Sequence, residues 1–297
     1  MYKSGFATLI GRPNVGKSTL MNLFVGEKVS IVSDKPQTTR RNANMILSTE
    51  TYQIVFIDTP GIHTPKNRLG EQMVRRAKNS VKNTDAVLLM IDARDDGLSG
   101  EDREIAAAAR ANGIPVILLI NKIDLVKKDR LLPLISQVSA AYDFKSIIPI
   151  SAIKAATRGL VLDEAVRLLP EGGPLYPEDM ITDQTERRLA EDIIREKALT
   201  LLNQEVPHGV DVEIESFRMR ERDGLHEIHA TVYCEKEAHK KIIIGEGGAT
   251  LKRIGASARI GIERLLETRV FLSLWVKVRK DWRNDDAALR RMGYFDT

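Results

Sequence analysis

The run FATLIGRPNVGKSTL, residues 6–20, constrains this chain most: an apolar, strand-like segment opens straight into G-x-x-x-x-G-K-S. Glycines at 11 and 16 let backbone N–H groups wrap an anion at the start of a helix. Lys17 can reach β- and γ-phosphates, and the Ser18 hydroxyl can ligate Mg²⁺. Asn14, Val15 and Thr19 complete the contact set of such a loop. The geometry demands strand, loop and helix in that order, so the chain must begin with a βα unit. The following apolar runs YQIVFID (52–58), DAVLLMID (85–92), PVILLIN (115–121) and SIIPIS (146–151) agree with this. Helix-like segments such as RLGEQMVRRAKNSVKN separate them, which predicts a mostly parallel sheet covered on both faces, an α/β fold.

NKID (121–124) and PISA (149–152) each follow a strand run and resemble the guanine-specificity motifs of the GTPase superfamily. The Asp124 carboxylate can accept from both N1–H and the 2-amino group of guanine, a pair adenine lacks. Asn121 would support base and loop, Lys122 would cover the ring, and the Ser151–Ala152 turn would bring the Ala152 N–H to O6. GTP and GDP are therefore expected, not ATP. DTPG (58–61) ends a strand: Asp58 would hold Mg²⁺ through water, and the turn through Thr59 and Pro60 would set the Gly61 N–H to sense the γ-phosphate. In the preceding interstrand segment, Gln37, Thr38, Thr39, Arg40 and Arg41 form a candidate switch. There Thr39, with Thr38 as the alternative, completes the metal shell. Loss of the γ-phosphate would release both loops. Ile62 stands where many GTPases carry a water-orienting Gln, so slow unaided hydrolysis is expected. Asn14 resembles the residue that holds a potassium ion in some relatives of this type, which adds K⁺ to Mg²⁺ as an expected cofactor.

Helical and strand periodicity lapses in the Pro- and Gly-rich stretch 171–183, read as a linker between a domain at 1–170 and another at 184–297. The second half reads α-β-β-α-α-β. VDVEIESF and LHEIHATVYC are its first strands, and a helical stripe through Leu251, Ile254, Ala258 and Ile262 follows. The last strand has Leu272, Leu274, Val276 and Val278 on one side. Between the paired helices lies GEGG, residues 245–248. This arrangement resembles a type II KH domain, a smaller α+β module. A loop without side chains at Gly245, Gly247 and Gly248 lets a ribose-phosphate backbone lie against the chain, although Glu246 is the wrong charge for it. Residues 239–283 carry 11 basic and 4 acidic groups, a suitable balance for an RNA backbone. Lys240, Lys241, Lys252 and Arg253 flank the loop, Ile243 and Ile244 would floor a groove for unpaired bases, and Lys277 and Arg279 would extend its basic rim. A basic tail would close this domain.

With GRPNVGKST, PQTTRR, DTPGIHTPK, YPEDMITDQ, IIIGEGG and FLSLWVKVRKDWR, nearly the whole chain resembles the Era family. The resemblance implies a GTPase of small (30S) ribosomal subunit assembly and 16S rRNA maturation. It would bind single-stranded 16S rRNA near its 3′ end, act in the cytoplasm and touch the inner face of the membrane. GTP-dependent repacking of the domains would align the RNA groove. A single cysteine, Cys234, suits a reducing compartment, and the five histidines show no zinc spacing. A monomer is expected. Two other readings stay open: a tRNA-modifying GTPase, disfavoured by the missing cysteine and folate-type modules, and an RNA chaperone or membrane-linked switch.

Overall fold

A computed structural model describes residues 1–26, 38–202 and 206–295. They form two compact units, the first built mainly from Met1–Asp183 and the second from Gln184 onward. In the first unit the order is β1 (Lys3–Gly11), α1 (Lys17–Val25), β2 (Ala43–Ser48), β3 (Tyr52–Asp58), α2 (Arg68–Ser80), β4 (Ala86–Asp92), α3 (Gly100–Ala111), β5 (Val116–Asn121), α4 (Lys128–Ala141), β6 (Ser146–Pro149) and α5 (Ala156–Leu168). The strands lie in the order β2-β3-β1-β4-β5-β6, all parallel except β2 against β3. Every residue of β4 and β5 is buried, as expected of central strands with helices on both faces.

This order places the chemistry. Strand β1 pairs with β3 on one side and β4 on the other, so successive crossovers diverge at its carboxyl end. The motifs GRPNVGKS, DTPG, NKID and PISA all leave carboxyl ends of strands at that rim. The antiparallel β2 begins there as well, with Ala43 opposite Asp58.

The stretch 171–183, expected to be a linker, is laced along the first unit. Glu171 bridges Lys3, Thr182 bridges Met45, and the Ile46 N–H donates to the Ile181 carbonyl at 2.9 Å. Its anchor is Gln53, fully buried on β3. The amide oxygen of Gln53 accepts from the N–H groups of Leu175 and Tyr176 (2.6 and 2.9 Å), and its Nε2 donates to the Tyr176 carbonyl at 2.9 Å.

The second unit runs α6 (Glu186–Leu201), β7 (Asp211–Met219), β8 (His226–Cys234), α7 (Glu237–Ile244), α8 (Ala249–Leu266), β9 (Val270–Val278) and α9 (Asp286–Arg291). Its sheet is β7-β8-β9, with β8 and β9 parallel. One face packs on the helices through Ile214, Ile228, Ala230, Val232, Ile254, Ala258 and Ile262, all fully buried. The expected basic tail is instead a packed closing segment. Trp282 is fully buried, donates from Nε1 to the Gly209 carbonyl at 3.0 Å and stacks on Tyr294. The Tyr294 hydroxyl lies 3.0 Å from both carboxylate oxygens of Asp211. Among the described residues no helix is long and apolar enough to cross a membrane.

Removing a buried indole and its hydrogen bond costs about 3–5 kcal/mol. Trp282→Ala is therefore expected to lower the stability of the second unit by that amount in urea denaturation followed by the emission of the remaining Trp275. A loss under about 1 kcal/mol would place the closing segment outside the core.

Candidate nucleotide site and nucleic-acid groove

The glycine loop after β1 is shaped by close approach. A Cβ on Gly11 would lie 2.2 Å from the Met90 carbonyl oxygen, and one on Gly16, whose φ is +110°, would lie 2.2 Å from Asn121 Nδ2. Lys17 starts α1 and is 6% exposed, its Nζ donating to the carbonyls of Gly11 (2.9 Å) and Arg12 (2.8 Å). Burial outweighs the attraction of Asp58 and Asp102 and holds the Lys17 ammonium down to about 8. Asn14 takes the left-handed conformation (φ 62°), Val15 is a core residue and Thr19 lies in the first turn of α1.

Ser18 and Thr39 meet: their hydroxyl oxygens are 3.0 Å apart. Asp58 is 1% exposed at the end of β3. Thr59 is turned into the fold, fully buried, with its hydroxyl donating to the Leu9 carbonyl at 2.8 Å. Pro60 is buried too. Gly61 passes so close to the first loop that a Cβ would sit 2.8 Å from Pro13 Cα. Ile62 is 2% exposed and packs in a core cluster with Ile10, Val81 and Ile91, while its N–H donates to the Gly11 carbonyl at 3.1 Å. Of the switch residues, Gln37 lies outside the described residues. Thr38, Thr39, Arg40 and Arg41 precede β2, and Arg40 is 2% exposed.

The base-side loops are joined through Asn121. Its Nδ2 donates to the Val15 carbonyl at 2.7 Å and its Oδ1 accepts from the Ala152 N–H at 2.9 Å. That amide, expected to face a base oxygen, is thus taken by the neighbouring side chain. Ser151 Oγ donates to Asp124 Oδ1 at 2.6 Å and fixes the carboxylate. Lys122, with φ 66°, donates from Nζ to the Asn14 carbonyl at 2.6 Å and pairs with Asp92 at 2.9 Å. Burial would raise the Asp92 carboxyl, but hydrogen bonds from Arg94 and Lys122 hold it well below the usual range. Sequence reasoning passed over Asp92, and also Arg12, which pairs with Asp95 and lies 3.5 Å from the fully buried Asp102. Variable positions of the loop motif give no cue for Arg12. The buried Asp102 is legible as the partner of Ser99 in a capping box at the start of α3.

In the second unit the glycines of GEGG differ among themselves. Gly245 (φ 75°, ψ 175°) has no room for a Cβ, which would meet Thr250 Oγ1 at 2.3 Å and its N at 2.8 Å. Gly247 and Gly248 have positive φ but open space beside them. Glu246 is exposed. A cavity of about 480 Å³ lies next to the loop, between α8 and β9. Gly248, Lys252, Gly255 and Arg259 form one wall at helical spacing, and Phe271 and Leu274 the other. The small Gly255 is what leaves this wall low.

The residues expected around the groove fall in different places. Ile243 is fully buried in the core and does not floor the groove; Ile244 is half-buried against that core. Lys240 and Lys241 lie on the last turns of α7, and Arg253 is exposed one residue beyond the lining Lys252. Lys277 and Arg279 are on the opposite face of the sheet. Lys277 pairs with Glu215 at 2.9 Å, and the Arg279 guanidinium sits 4.6 Å over the Tyr233 ring. Arg259 was missed.

A strand-loop-helix anion cradle, a carboxylate set for guanine and a glycine loop beside a groove define a P-loop GTPase joined to a KH domain. Comparison with known proteins agrees: a 50S ribosome-binding GTPase model matches residues 6–122, and a KH domain model matches 205–283. GTPase Era of Ruminiclostridium cellulolyticum is 51% identical, covering 99% of this chain and 98% of its own, and GTPase Era of Alkaliphilus oremlandii is 50% identical with 99% of each covered. A crystal structure of Era in complex with MgGDPNP and nucleotides 1506–1542 of 16S ribosomal RNA superposes with TM-score 0.95 at 41% identity over 99% of both chains. A single-residue variant of Aquifex aeolicus Era bound to GDP·AlF4⁻ gives 0.94, also at 41%, over 98% of this chain and 99% of its own. The chain belongs to the Era family of GTPases.

Asn121→Ala removes both ties at once and leaves the Ala152 N–H and the Val15 carbonyl to find new partners. Each orphaned buried group costs about 1–3 kcal/mol. The nucleotide-free variant is expected to lose at least that much stability in chemical denaturation of the first unit. An unchanged midpoint would show that Asn121 serves the base alone.

Proposed function

We propose that this GTPase couples nucleotide state to the binding of single-stranded 16S rRNA near its 3′ end, in assembly of the 30S subunit. The observation that carries the reading is the groove beside GEGG, in a chain that matches end to end a relative solved with that rRNA segment. Lys252 and Arg259 supply charge at the groove wall, Phe271 offers a ring face, and the bare loop admits the backbone. Lys252→Glu combined with Arg259→Glu is expected to weaken binding of the 1506–1542 RNA at least ten-fold at ~0.1 M salt and to flatten the salt dependence. Equal affinity would remove the groove from RNA recognition.

In the first unit, Lys17 and the loop amides hold the phosphates, and Asp124, positioned by Ser151, selects guanine. Ser18, Thr39 and Asp58 are an all-oxygen set that suits Mg²⁺. The Ser18 and Thr39 hydroxyls already stand 3.0 Å apart, so both would be within reach of one such ion. When bound, the ion neutralises charge on the β- and γ-phosphates. The potassium ion expected at Asn14 rests on that side chain alone. Position 62 gives the water no polar partner, since Ile62 is a core residue, so the intrinsic rate is slow.

Phosphate favours the charged form of Lys17, whose ammonium in the free protein is held down to about 8. Below that pH the cation is already present and affinity is flat. Above it, binding must first take up a proton, so affinity for a non-hydrolysable GTP analogue falls by up to about ten-fold per pH unit until the complex itself titrates. Calorimetry in buffers of different ionisation enthalpy should show proton uptake only above about pH 8. Flat affinity from about pH 7 to 9.5, without proton uptake, would show that burial does not hold the Lys17 ammonium down in the free protein.

A further inference from the structure

The KH sheet turns one face to its helices and the other outward, and the outward face is aromatic. Phe271 and Trp275 alternate with buried Val270 and Val276 on the edge strand β9, and each is 46% exposed. His229 of β8 lies between them, stacked on Trp275 (centroids 5.5 Å apart, 28° between planes) and edge-on to Phe271 (6.2 Å). Such a row of rings on a half-exposed edge strand is costly to leave in water and invites strand pairing. Cations border it: the Arg220 guanidinium is 5.8 Å from the Phe271 centroid, and Arg279 covers Tyr233. The carboxylates nearby are already engaged, Glu215 by Lys277 and Thr231, and Glu227 by Arg220 and His229.

Phe271 belongs to two surfaces. It stands at the rim of the groove between α8 and β9 and also ends the ring row on the outer face. We infer that a single-stranded RNA lying in the groove continues over the β9 edge at Phe271 and stacks its next unpaired bases on His229 and Trp275. The inference rests on the groove being the RNA site. Continuity at Phe271, flat rings with exposed faces and adjacent guanidinium groups select a nucleic-acid strand, because every base offers a π-face to such a platform. A ladder of this kind is indifferent to sequence, so it lengthens the footprint without adding base specificity.

The test compares nested fragments of the 1506–1542 segment: a core fragment of about four nucleotides, enough for the groove, and fragments extended by about four more at either end. One extension is expected to bind the wild type about ten-fold more tightly than the core fragment. It should also quench tryptophan emission, which reports Trp275 because Trp282 is fully buried. Trp275→Ala should abolish that gain and leave core-fragment affinity unchanged, and Trp275→Phe should restore most of the gain. A gain that survives Trp275→Ala overturns the inference, as does an equal loss for core and extended fragments. Dissociation of a dimer by Trp275→Ala in sedimentation would also overturn it, by making the face a contact between two copies. Failure of the groove reading has a separate signature: core-fragment affinity that ignores Lys252→Glu and Arg259→Glu.

Discussion

The bifurcated role of Asn121 holds the nucleotide unit together. Its carboxamide donates to the Val15 carbonyl in the first loop and accepts from the Ala152 N–H in the last, two segments far apart in the chain. Gly16 must be glycine because this carboxamide occupies the space a Cβ would need. The parallel sheet makes the arrangement possible: β1, β5 and β6 deliver the three segments to one rim, and the side chain at the end of β5 spans the gap. The loops that carry Asp124 and Lys17, the residues proposed to select guanine and hold phosphate, therefore share one frame. A distortion at either end is felt at the other.

The two glycine loops use the residue for different physical reasons. In the first, Gly11 and Gly16 are required by packing, as is Gly61 of the DTPG segment facing it, since backbone or side-chain atoms stand within 3 Å of where a Cβ would be. In the second, only Gly245 is packed, while Gly247 and Gly248 face open space and need glycine for positive φ. The first loop is thus a closed cradle whose shape is set by the protein. The second is an open step between α7 and α8, with bare backbone next to the low wall that Gly255 leaves.

Much of this was legible from sequence. The apolar runs named β1, β3, β4, β5 and β6 but passed over the antiparallel β2, and G-x-x-x-x-G-K-S, DTPG, NKID and PISA each emerged at the carboxyl rim of the sheet. In the second unit the alternation of Leu272, Leu274, Val276 and Val278 found β9. That same alternation assigns Lys277 and Arg279 to the outer face, so they do not rim the groove between α8 and β9 itself. Ile243 failed for a related reason: an isoleucine triplet at the end of a helix does not say which member turns inward. The anchoring of 171–183 was invisible because its central tie is one buried amide, Gln53, whose partners in that stretch are more than 120 residues away. Arg259 was missed because a lone arginine on a helix acquires meaning only when β9 packs opposite it.

Ile62 shows how the fold limits the chemistry. Its side chain fills the cluster formed by Ile10, Val81 and Ile91 beneath the sheet rim, and its N–H is spent on the Gly11 carbonyl. A glutamine in that pose would bury an amide among aliphatic groups at a cost of about 1–3 kcal/mol; turned outward, it would vacate the core. Either change disturbs the loop that Gly61 packs against Pro13. The same residue that steadies the loop after β3 thus offers no polar side chain at position 62. On the proposed coupling of nucleotide state to RNA, a firmly seated loop and slow hydrolysis are compatible demands, and Ile62 would serve both.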